Sequence, residues 1–246
     1  MKPDSPDQHA QGFAITAVDP LRYDGHNGDP CESAGLIASL LPPNKRVLDV
    51  GCGTGSMSKL LVDLRGVQLV GIEPDSERAE KARSRGIDVR QGILDESALK
   101  ELGQFDVVIF ADVLEHLPDP WSMLKLTQRL LVPGGMVIAS VPNIAHWSVR
   151  WELMCGRFDY ESCGIMDATH LRWFTERSLR TLFESAGYRV DCILPTAGVA
   201  GSVYREFRFW RWFRPRRYRV PLIRRLSKSF PRLFGYQHVI RAVLNP

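Results

Sequence analysis

Residues 46–55 read Arg-Val-Leu-Asp-Val-Gly-Cys-Gly-Thr-Gly, an apolar run that ends in a glycine-rich turn. The run Arg46–Val50 has the length and composition of a buried strand. The turn has the pattern G-x-G-x-G, in which glycines permit tight bending and let a ligand approach the backbone closely. It lacks both the G-x-G-x-x-G spacing and the Gly-Lys-Ser/Thr of a Walker loop, which argues against a phosphate site.

Strand and helix patterns alternate on both sides of this turn. Met57, Leu60, Leu61 and Leu64 form the i, i+3, i+4, i+7 stripe of a helix. The other predicted strands are Val67–Ile72, Ile87–Arg90, Phe105–Phe110, Met136–Val141, Tyr188–Leu194 and Tyr236–Val243. Such alternation predicts a doubly wound α/β fold whose mainly parallel sheet is covered on both faces. Ligands of these sheets bind at the carboxyl ends of the strands.

Carboxylates follow two of the predicted strands. Glu73 and Pro74 end the second strand, about 20 residues past the glycine turn, where a carboxylate can accept hydrogen bonds from ribose hydroxyls. Asp75 is better placed to cap the next helix. Asp95, after the third strand, is either an adenine contact or part of an ordinary surface turn.

Four stretches together resemble the successive motifs of class I S-adenosylmethionine-dependent methyltransferases, over about residues 46–194. They read VLDVGCGTG, GIEPD, FDVVIFADVLEHLPDP and LVPGGMVIASVPN. The resemblance implies a Rossmann-like sheet of seven strands with the last one antiparallel, and S-adenosyl-L-methionine as cofactor. The cofactor-binding residues that it implies are Asp49, Gly51, Cys52, Gly53, Glu73, Pro74, Asp95, Phe110 and Ala111. In that scheme the first four border the methionine part, Glu73 holds the ribose, and the last two line the sulfonium side.

The segment after the fourth strand combines carboxylates with a histidine, in the order Asp112, Glu115, His116. Together with His170 they predict either a general base with its orienting group or a metal site. The spacing is similar to the E-x-x-E-H metal site of ubiquinone-biosynthesis and small-RNA 2′-O-methyltransferases, although Asp112 departs from that pattern. In the small-RNA enzymes a later His ahead of an aromatic-Thr pair completes the site, and the resemblance places His170 there. We predict His116 and His170 as catalytic residues. A divalent metal on Glu115, His116 and His170 stays an alternative, as does a loop that Glu115 and His116 merely orient.

Residues 142–174 form a long aromatic segment that we predict to cover the acceptor. Trp147 and Trp151 either contact the acceptor or form the core face of a short helix. The stretch 164–175 resembles a string that is typical of bacterial methyltransferases of surface polysaccharide and glycan biosynthesis. We therefore expect O-methylation of a sugar or glycan intermediate. A small acceptor such as a quinone or phenol is the enzymatic alternative, and a non-catalytic adenosylmethionine-binding or membrane-adaptor protein is the alternative of another class.

The charge is concentrated in one segment. Residues 202–232 hold ten Arg and one Lys against one Glu, a net +10, so the rest of the chain, with 21 basic and 27 acidic residues, carries −6. Aromatic residues alternate with these arginines, a pattern that suits an anionic membrane surface that presents a lipid-linked glycan. RNA is a less favoured partner because the remainder is acidic, and a helical lid packed on the domain is a third interpretation.

Length and composition predict one globular domain. The 246 residues divide into an N-terminal arm, 1–30, partly disordered, and a single domain, 31–246, with insertions at 142–174 and 197–233. The chain has five Cys, an odd number, and an N-terminus without an apolar export signal, so we expect reduced thiols and a cytoplasmic protein, with peripheral association at the inner membrane face.

Overall fold

The fold is seen in a computed structural model that describes residues 24–199, 204 and 216–245. Most of the predicted N-terminal arm, and residues 202–203 and 205–215 of the basic segment, lie outside these described residues. The division into an arm, a domain and two insertions remains a prediction.

Seven strands form one sheet. They are β1 (Arg46–Val50), β2 (Gln68–Glu73), β3 (Asp88–Gln91), β4 (Phe105–Ala111), β5 (Leu131–Pro142), β6 (Tyr188–Pro195) and β7 (Gln237–Leu244). Their order across the sheet is β3-β2-β1-β4-β5-β7-β6, and β7 alone runs in the direction opposite to the other six. The predicted doubly wound α/β fold with an antiparallel last strand is therefore confirmed.

Nine helices accompany the strands in the described part of the chain. They are α1 (Ser33–Leu40), α2 (Ser56–Arg65), α3 (Ser76–Ser84), α4 (Glu96–Leu102), α5 (Pro120–Thr127), α6 (Trp147–Met154), α7 (Glu176–Ser185), α8 (Arg216–Ser229) and α9 (Pro231–Phe234). The short 3₁₀ turns Leu114–His116 and Gln128–Leu130 follow β4 and α5.

Two elements differ from the predicted ones, and a third follows one of two open interpretations. Helix α4 was not predicted; it begins after Asp95, where the sequence left open an adenine contact or a surface turn, because Asp95 caps it by accepting hydrogen bonds from two backbone N–H groups. Helix α6 lies inside the aromatic segment 142–174, where a short helix was one of the two interpretations of Trp147 and Trp151. Strand β5 also begins earlier than predicted, at Leu131, since it continues through the Pro133-Gly134-Gly135 stretch, where its register against β4 shifts.

Two apolar layers hold the sheet, one on each face. One contains Leu48, Phe110 and Phe183, and the other contains Ile37, Leu61 and Ile109, all inaccessible to solvent. Neighbouring residues of a strand point to opposite faces, which is why Ile109 and Phe110 belong to different layers. Burial of these side chains is the main favourable contribution to the folded state.

The register brings the carboxyl ends of the central strands to one edge. Val50 pairs with Ile72 on one side and with Phe110 on the other. The turns after β1, β2 and β4 therefore begin level with one another, and they form the candidate site.

Candidate active site

The glycine turn between β1 and α2 is held by Glu73 from the neighbouring strand. One oxygen of the Glu73 carboxylate accepts a hydrogen bond from the backbone N–H of Gly53, at 2.9 Å, and the other accepts from that of Asp75, at 3.1 Å. The side chain is 3% exposed. Because a carboxylate offers about four acceptor positions, each oxygen retains capacity for a hydroxyl donor.

The glycines of this turn have different structural roles. Gly55 has φ 71°, and a Cβ there would lie 2.8 Å from the Ala82 side chain, so glycine lets α2 pack against α3. Gly53 has φ 56°, and a Cβ there would meet nothing within 4 Å. The backbone at Gly53 thus faces unfilled space, the arrangement that a closely approaching ligand requires.

Asp49 is fully buried beside this turn. One of its oxygens accepts a 2.6 Å hydrogen bond from the Ser58 hydroxyl of α2, and the other has no partner among the described residues. Burial, together with the nearby Glu73 charge, raises the pKa of Asp49 to about 7 against the lowering effect of the Ser58 hydrogen bond. A buried carboxylate oxygen without a partner is costly unless a donor reaches it.

The remaining predicted cofactor residues lie around this edge with different environments. The Cys52 thiol is buried, and burial raises its pKa, which makes it an apolar neighbour rather than a nucleophile. Pro74 is exposed after β2, and Asp95 caps α4. Phe110 is fully buried in the core, whereas Ala111 is partly exposed at the end of β4.

Residues 24–26 lie over the glycine turn. The Asp24 carboxylate accepts a 2.8 Å hydrogen bond from the Thr54 hydroxyl and forms ion pairs with Lys81 and Arg85. These partners hold the pKa of Asp24 well below its usual range. The backbone N–H of His26 donates to the Ser56 hydroxyl at 2.9 Å. The segment before α1 is thus fastened beside the space that Gly53 faces.

Asp112 follows β4 in a left-handed conformation, with φ 55°. One of its oxygens accepts hydrogen bonds from the Ser140 hydroxyl at 3.0 Å and from the Gln237 amide at 2.8 Å. Burial raises the pKa of Asp112, while these donors lower it. Asp112 does not belong to the group of potential metal ligands that its neighbours form.

That group consists of Glu115, His116 and His170. One potential ligand atom from each lies within 4.8 Å of the other two, and the imidazole centroids of the histidines are 4.8 Å apart in an edge-to-face arrangement. His170 lies more than fifty positions from Glu115 and His116 in the sequence, and the structure brings the three together after β4. The predicted association of His116 with His170 is therefore present in the fold.

Backbone carbonyls orient both imidazoles. Nδ1 of His116 lies 3.1 Å from the Thr169 carbonyl, and Nδ1 of His170 lies 3.1 Å from the Ile165 carbonyl. Since a carbonyl only accepts, each Nδ1 carries the proton, and Nε2 is left as the basic atom of the neutral ring. The same tautomer, fixed in the same way, is found in metal-ligating histidines.

Glu115 connects the segment after β4 to the segment that carries His170. Its carbonyl accepts hydrogen bonds from the backbone N–H groups of Leu171 and Arg172, at 2.8 and 3.0 Å. Glu115 is 1% exposed, and neither oxygen of its carboxylate has a hydrogen-bond partner among the described residues. Burial and the Asp112 charge raise the pKa of Glu115 well above its ordinary value, so the site favours a protonated carboxyl or a bound cation.

An exposed aromatic group flanks the same loop. Phe158 and Tyr160 are 44% and 38% exposed, and their rings contact that of Trp173, three residues beyond His170. The indole N–H of Trp173 is buried without a partner among the described residues. Trp151, in contrast, is 47% exposed on α6, whereas Trp147 packs against Tyr204, so the two tryptophans do not share one core face.

Several residues of the site were not identified in the sequence. Ser58, Ser140 and Gln237 donate to the buried carboxylates, and Gln237 lies 125 positions from its partner Asp112. No local pattern marks such donors. Only the expectation that buried carboxylates require donors indicates that they exist.

The chain is similar to known methyltransferases in sequence and in fold. The sequence profile of the methyltransferase-domain family matches residues 25–193. A ubiquinone biosynthesis O-methyltransferase of Acinetobacter baylyi is 34% identical over 144 residues, and one of Bordetella bronchiseptica is 35% identical over 143 residues. These matches cover 56% of this chain and 56% and 55% of the relatives, so the matched region is about half the length of each curated relative.

Solved structures share the fold at low sequence identity. A possible histamine N-methyltransferase from Thermotoga maritima matches with a TM-score of 0.55 and 20% identity, covering 87% of this chain and 88% of its own. Magnesium protoporphyrin IX methyltransferase from Synechocystis, with bound SAH, matches with a TM-score of 0.57 and 17% identity, covering 97% and 94%. The family that the sequence motifs suggested is confirmed, and this chain belongs to the methyltransferase-domain family.

Proposed function

We propose that this protein is an S-adenosylmethionine-dependent O-methyltransferase. The cofactor supplies a methyl group that is already activated on a sulfonium sulfur. The chain's own task is then to bind the cofactor, align an acceptor hydroxyl with it and remove the hydroxyl proton.

The glycine turn suits the adenosylmethionine. Gly53 leaves space at the backbone, and the unpartnered oxygen of buried Asp49 is available to a donor at the methionine part. Glu73 retains acceptor capacity for ribose hydroxyls after it has fixed the turn. Gly51, Cys52, Pro74, Phe110 and Ala111 line this edge in our proposal, and Asp95 remains the proposed neighbour of the adenine.

The observation that carries the reaction type is the meeting of Glu115, His116 and His170. Both imidazoles have a basic Nε2, and one of them accepts the proton of the acceptor hydroxyl. The imidazolium that forms lies beside Glu115, and its positive charge favours the ionised form of that buried carboxyl, which in turn stabilises the imidazolium. An amine acceptor needs less help with its proton, so this centre favours oxygen.

A divalent cation at the same three residues is the second candidate. The specific observation in its favour is that Glu115 is buried and unpartnered while both histidines have the orientation of metal ligands. Chelation followed by addition of Mg²⁺, Mn²⁺ or Zn²⁺ tests it by turnover and by thermal stability, because a bound cation stabilises the folded state. Full activity and an unchanged Tm after chelation would exclude the metal.

The aromatic group of Phe158, Tyr160 and Trp173 suits an acceptor that carries a ring. Aromatic rings stack on the apolar face of a sugar and equally on a phenol. The stretch 164–175 favours a sugar or glycan intermediate, our first candidate. The names of the ubiquinone biosynthesis relatives favour a quinone or phenol, our second.

Formation of S-adenosylhomocysteine with two panels of acceptors tests the proposal. One panel contains nucleotide sugars and lipid-linked glycans, and the other contains catechols and hydroquinones. Turnover with either panel supports O-methylation and selects the acceptor class. Cofactor binding without turnover on any acceptor would overturn it in favour of a non-catalytic adenosylmethionine-binding protein, and failure to bind the cofactor would overturn it altogether.

The same proposal extends to where the protein works. None of the described helices is long and apolar enough to span a bilayer. We retain the proposed peripheral contact between residues 202–232 and an anionic membrane surface, with nucleic acid as the disfavoured partner. Helix α8 contains most of the described residues of that segment.

A further inference from the structure

Helix α8 presents a basic and apolar face to solvent. Its exposed residues recur three or four positions apart, which places them on one contiguous face. They are Arg217, Tyr218, Pro221, Leu222, Arg225, Lys228 and Ser229. The face therefore combines three cations with two large apolar side chains, and Phe230, at the end of the helix, is 57% exposed.

The opposite face of α8 fixes the helix to the domain. Ile223 and Ser227 are almost fully buried, and Ile223 packs in a small apolar cluster with Ala197 and Tyr204. Arg224 forms an ion pair with Asp29, and Arg219 donates to the Tyr204 carbonyl at 2.9 Å. The helix thus has a defined orientation, with its basic and apolar face directed away from the protein.

The exposed cations are not neutralised by the described residues. Arg224 and Arg232 pair with Asp29 and Glu176, but Arg217, Arg225 and Lys228 have no acidic partner in that part of the chain. The Arg217 guanidinium lies 4.7 Å from the centroid of the Tyr218 ring. A cation held over an aromatic ring beside exposed Leu222 matches the boundary between lipid headgroups and acyl chains, where both groups are accommodated.

The position of α8 relates this face to the active-site edge. Its apolar cluster includes Ala197, which follows β6, and is joined by Trp147 at the start of α6, shortly after β5. Asn143, at the carboxyl end of β5, donates through its amide to the Gly235 carbonyl at 2.8 Å. Helices α8 and α9 therefore lie at the carboxyl edge of the sheet, the edge that also carries Glu115 and His116.

We propose that the exposed face of α8 docks on an anionic lipid surface and that this contact brings a lipid-anchored acceptor to the active-site edge. An anionic headgroup complements the three cations, and Tyr218, Leu222 and Phe230 enter the boundary below them. A nucleic acid would satisfy the cations, but it would leave Leu222 and Phe230 exposed. The docking does not rest on the proposed methyl transfer, whereas the lipid-anchored acceptor does.

Vesicle flotation of the full chain tests the docking. We expect binding to vesicles of phosphatidylcholine with phosphatidylglycerol in equal parts and little binding to phosphatidylcholine alone. Each basic residue near an anionic surface contributes about a fivefold factor, so the triple variant R217Q/R225Q/K228Q should bind about 100-fold more weakly. The variant Y218S/L222S/F230S should also lose binding, at unchanged charge.

A matched control removes the same number of charges elsewhere. The variant K59Q/R129Q/R177Q replaces three exposed cations that lie off α8, and it should retain binding. Equal losses in both charge variants, binding to neither vesicle, or an affinity for single-stranded RNA that exceeds the affinity for vesicles would each overturn the docking. Calorimetric binding of S-adenosylmethionine by every variant verifies that the fold and the proposed cofactor site are intact.

The lipid-anchored acceptor has its own readout. Turnover on a vesicle-borne acceptor should fall in the α8 variants, while turnover on a water-soluble fragment of the same acceptor should not change. Equal turnover on both substrates would overturn this part while leaving the docking in place. Absence of turnover on either substrate in the unmodified protein would instead count against the proposed function.

Discussion

Glu73 and Glu115 are both buried glutamates at the same edge of the sheet, yet their surroundings are opposite. Glu73 accepts hydrogen bonds from two backbone N–H groups. The Glu115 carboxylate has no hydrogen-bond partner among the described residues and lies beside two imidazoles. Glu73 therefore completes its own turn, whereas the Glu115 centre is completed only by a proton, a cation or an acceptor. The first arrangement is typical of a binding site and the second of a reacting one.

The largest effect is expected at the histidines. The substitutions His116→Ala and His170→Ala should both lower kcat, and the one that removes the general base should lower it by about 10²–10⁴, with the Kd for S-adenosylmethionine unchanged. Single-turnover kinetics and calorimetry measure the two quantities. Arg177→Ala, at an exposed position on α7, is the control. An unchanged rate in both variants would mean that the reacting centre lies elsewhere.

Glu73→Ala should impair cofactor binding, since Glu73 belongs to the proposed binding site and not to the Glu115 centre. It removes the two charge-assisted hydrogen bonds proposed for the ribose, each contributing about 1.5–3 kcal/mol, and it frees the glycine turn. We expect S-adenosylmethionine to bind at least about 100-fold more weakly in calorimetry. Exposed Glu77 on α3 provides the control Glu77→Ala, which should bind normally. A Kd for Glu73→Ala within about threefold of the unmodified protein would remove Glu73 from the cofactor site.

The sequence predicted the fold better than it predicted the contrast between the hydrogen-bonded Glu73 and the unpartnered Glu115 carboxylate. Strand positions follow from local apolar runs such as Phe105–Phe110, and all seven predicted strands overlap strands of the sheet. Helix α4 carried a readable signal in Asp95 followed by Ala98 and Leu102, which are buried on one face. Weak periodicity in such a short helix is what concealed it.

The site was only partly readable, because its environments are set by distant residues. Spacing placed Glu73 and His116 at strand ends, and the resemblance pointed to His170. Nothing local indicated that Glu73 would be satisfied by backbone donors while Glu115 would have none. The partner of Asp112 illustrates the same point, since Gln237 reaches it from β7 across the sheet.

Glu115→Gln tests whether the unpartnered carboxylate costs stability. Because the pKa of Glu115 is raised on folding, the folded state holds a proton that the unfolded state has lost, and stability falls as pH rises between the two pKa values. The neutral amide of Gln removes this loss of stability, which is about 1.4 kcal/mol for each unit by which the pKa of Glu115 differs between the folded and unfolded states. Urea unfolding in EDTA should therefore find the variant more stable at about pH 8 and nearly equal near pH 4.

The control and the metal alternative use the same measurement. Glu77→Gln, on the exposed face of α3, should follow the unmodified protein at both pH values. If a cation occupies the centre, adding it should stabilise the unmodified protein and leave Glu115→Gln unaffected. A variant that is less stable than the unmodified protein in EDTA at both pH values would contradict an unpartnered Glu115.

The smallest effect is expected at Ser58, the donor to Asp49. Loss of its hydroxyl in Ser58→Ala should raise the pKa of Asp49 above about 7, because that hydrogen bond favours the ionised carboxylate. Near pH 6, Asp49 is mostly protonated in the folded protein, and Ser58→Ala should lower the free energy of unfolding by about 1 kcal/mol. Near pH 9, Asp49 is ionised, and the same substitution should lower the free energy of unfolding by about 2 kcal/mol, since hydrogen bonds to charged groups contribute more.

The matched substitution for Ser58 is Ser84→Ala, at the exposed end of α3, where the hydroxyl donates to a backbone carbonyl. Its effect should be small and independent of pH, because its partner does not titrate. An equal loss at both pH values in Ser58→Ala would indicate that the hydroxyl only fills space. Asp49 would then resemble Glu115, a carboxylate that depends on a ligand, rather than Glu73, which the chain itself satisfies.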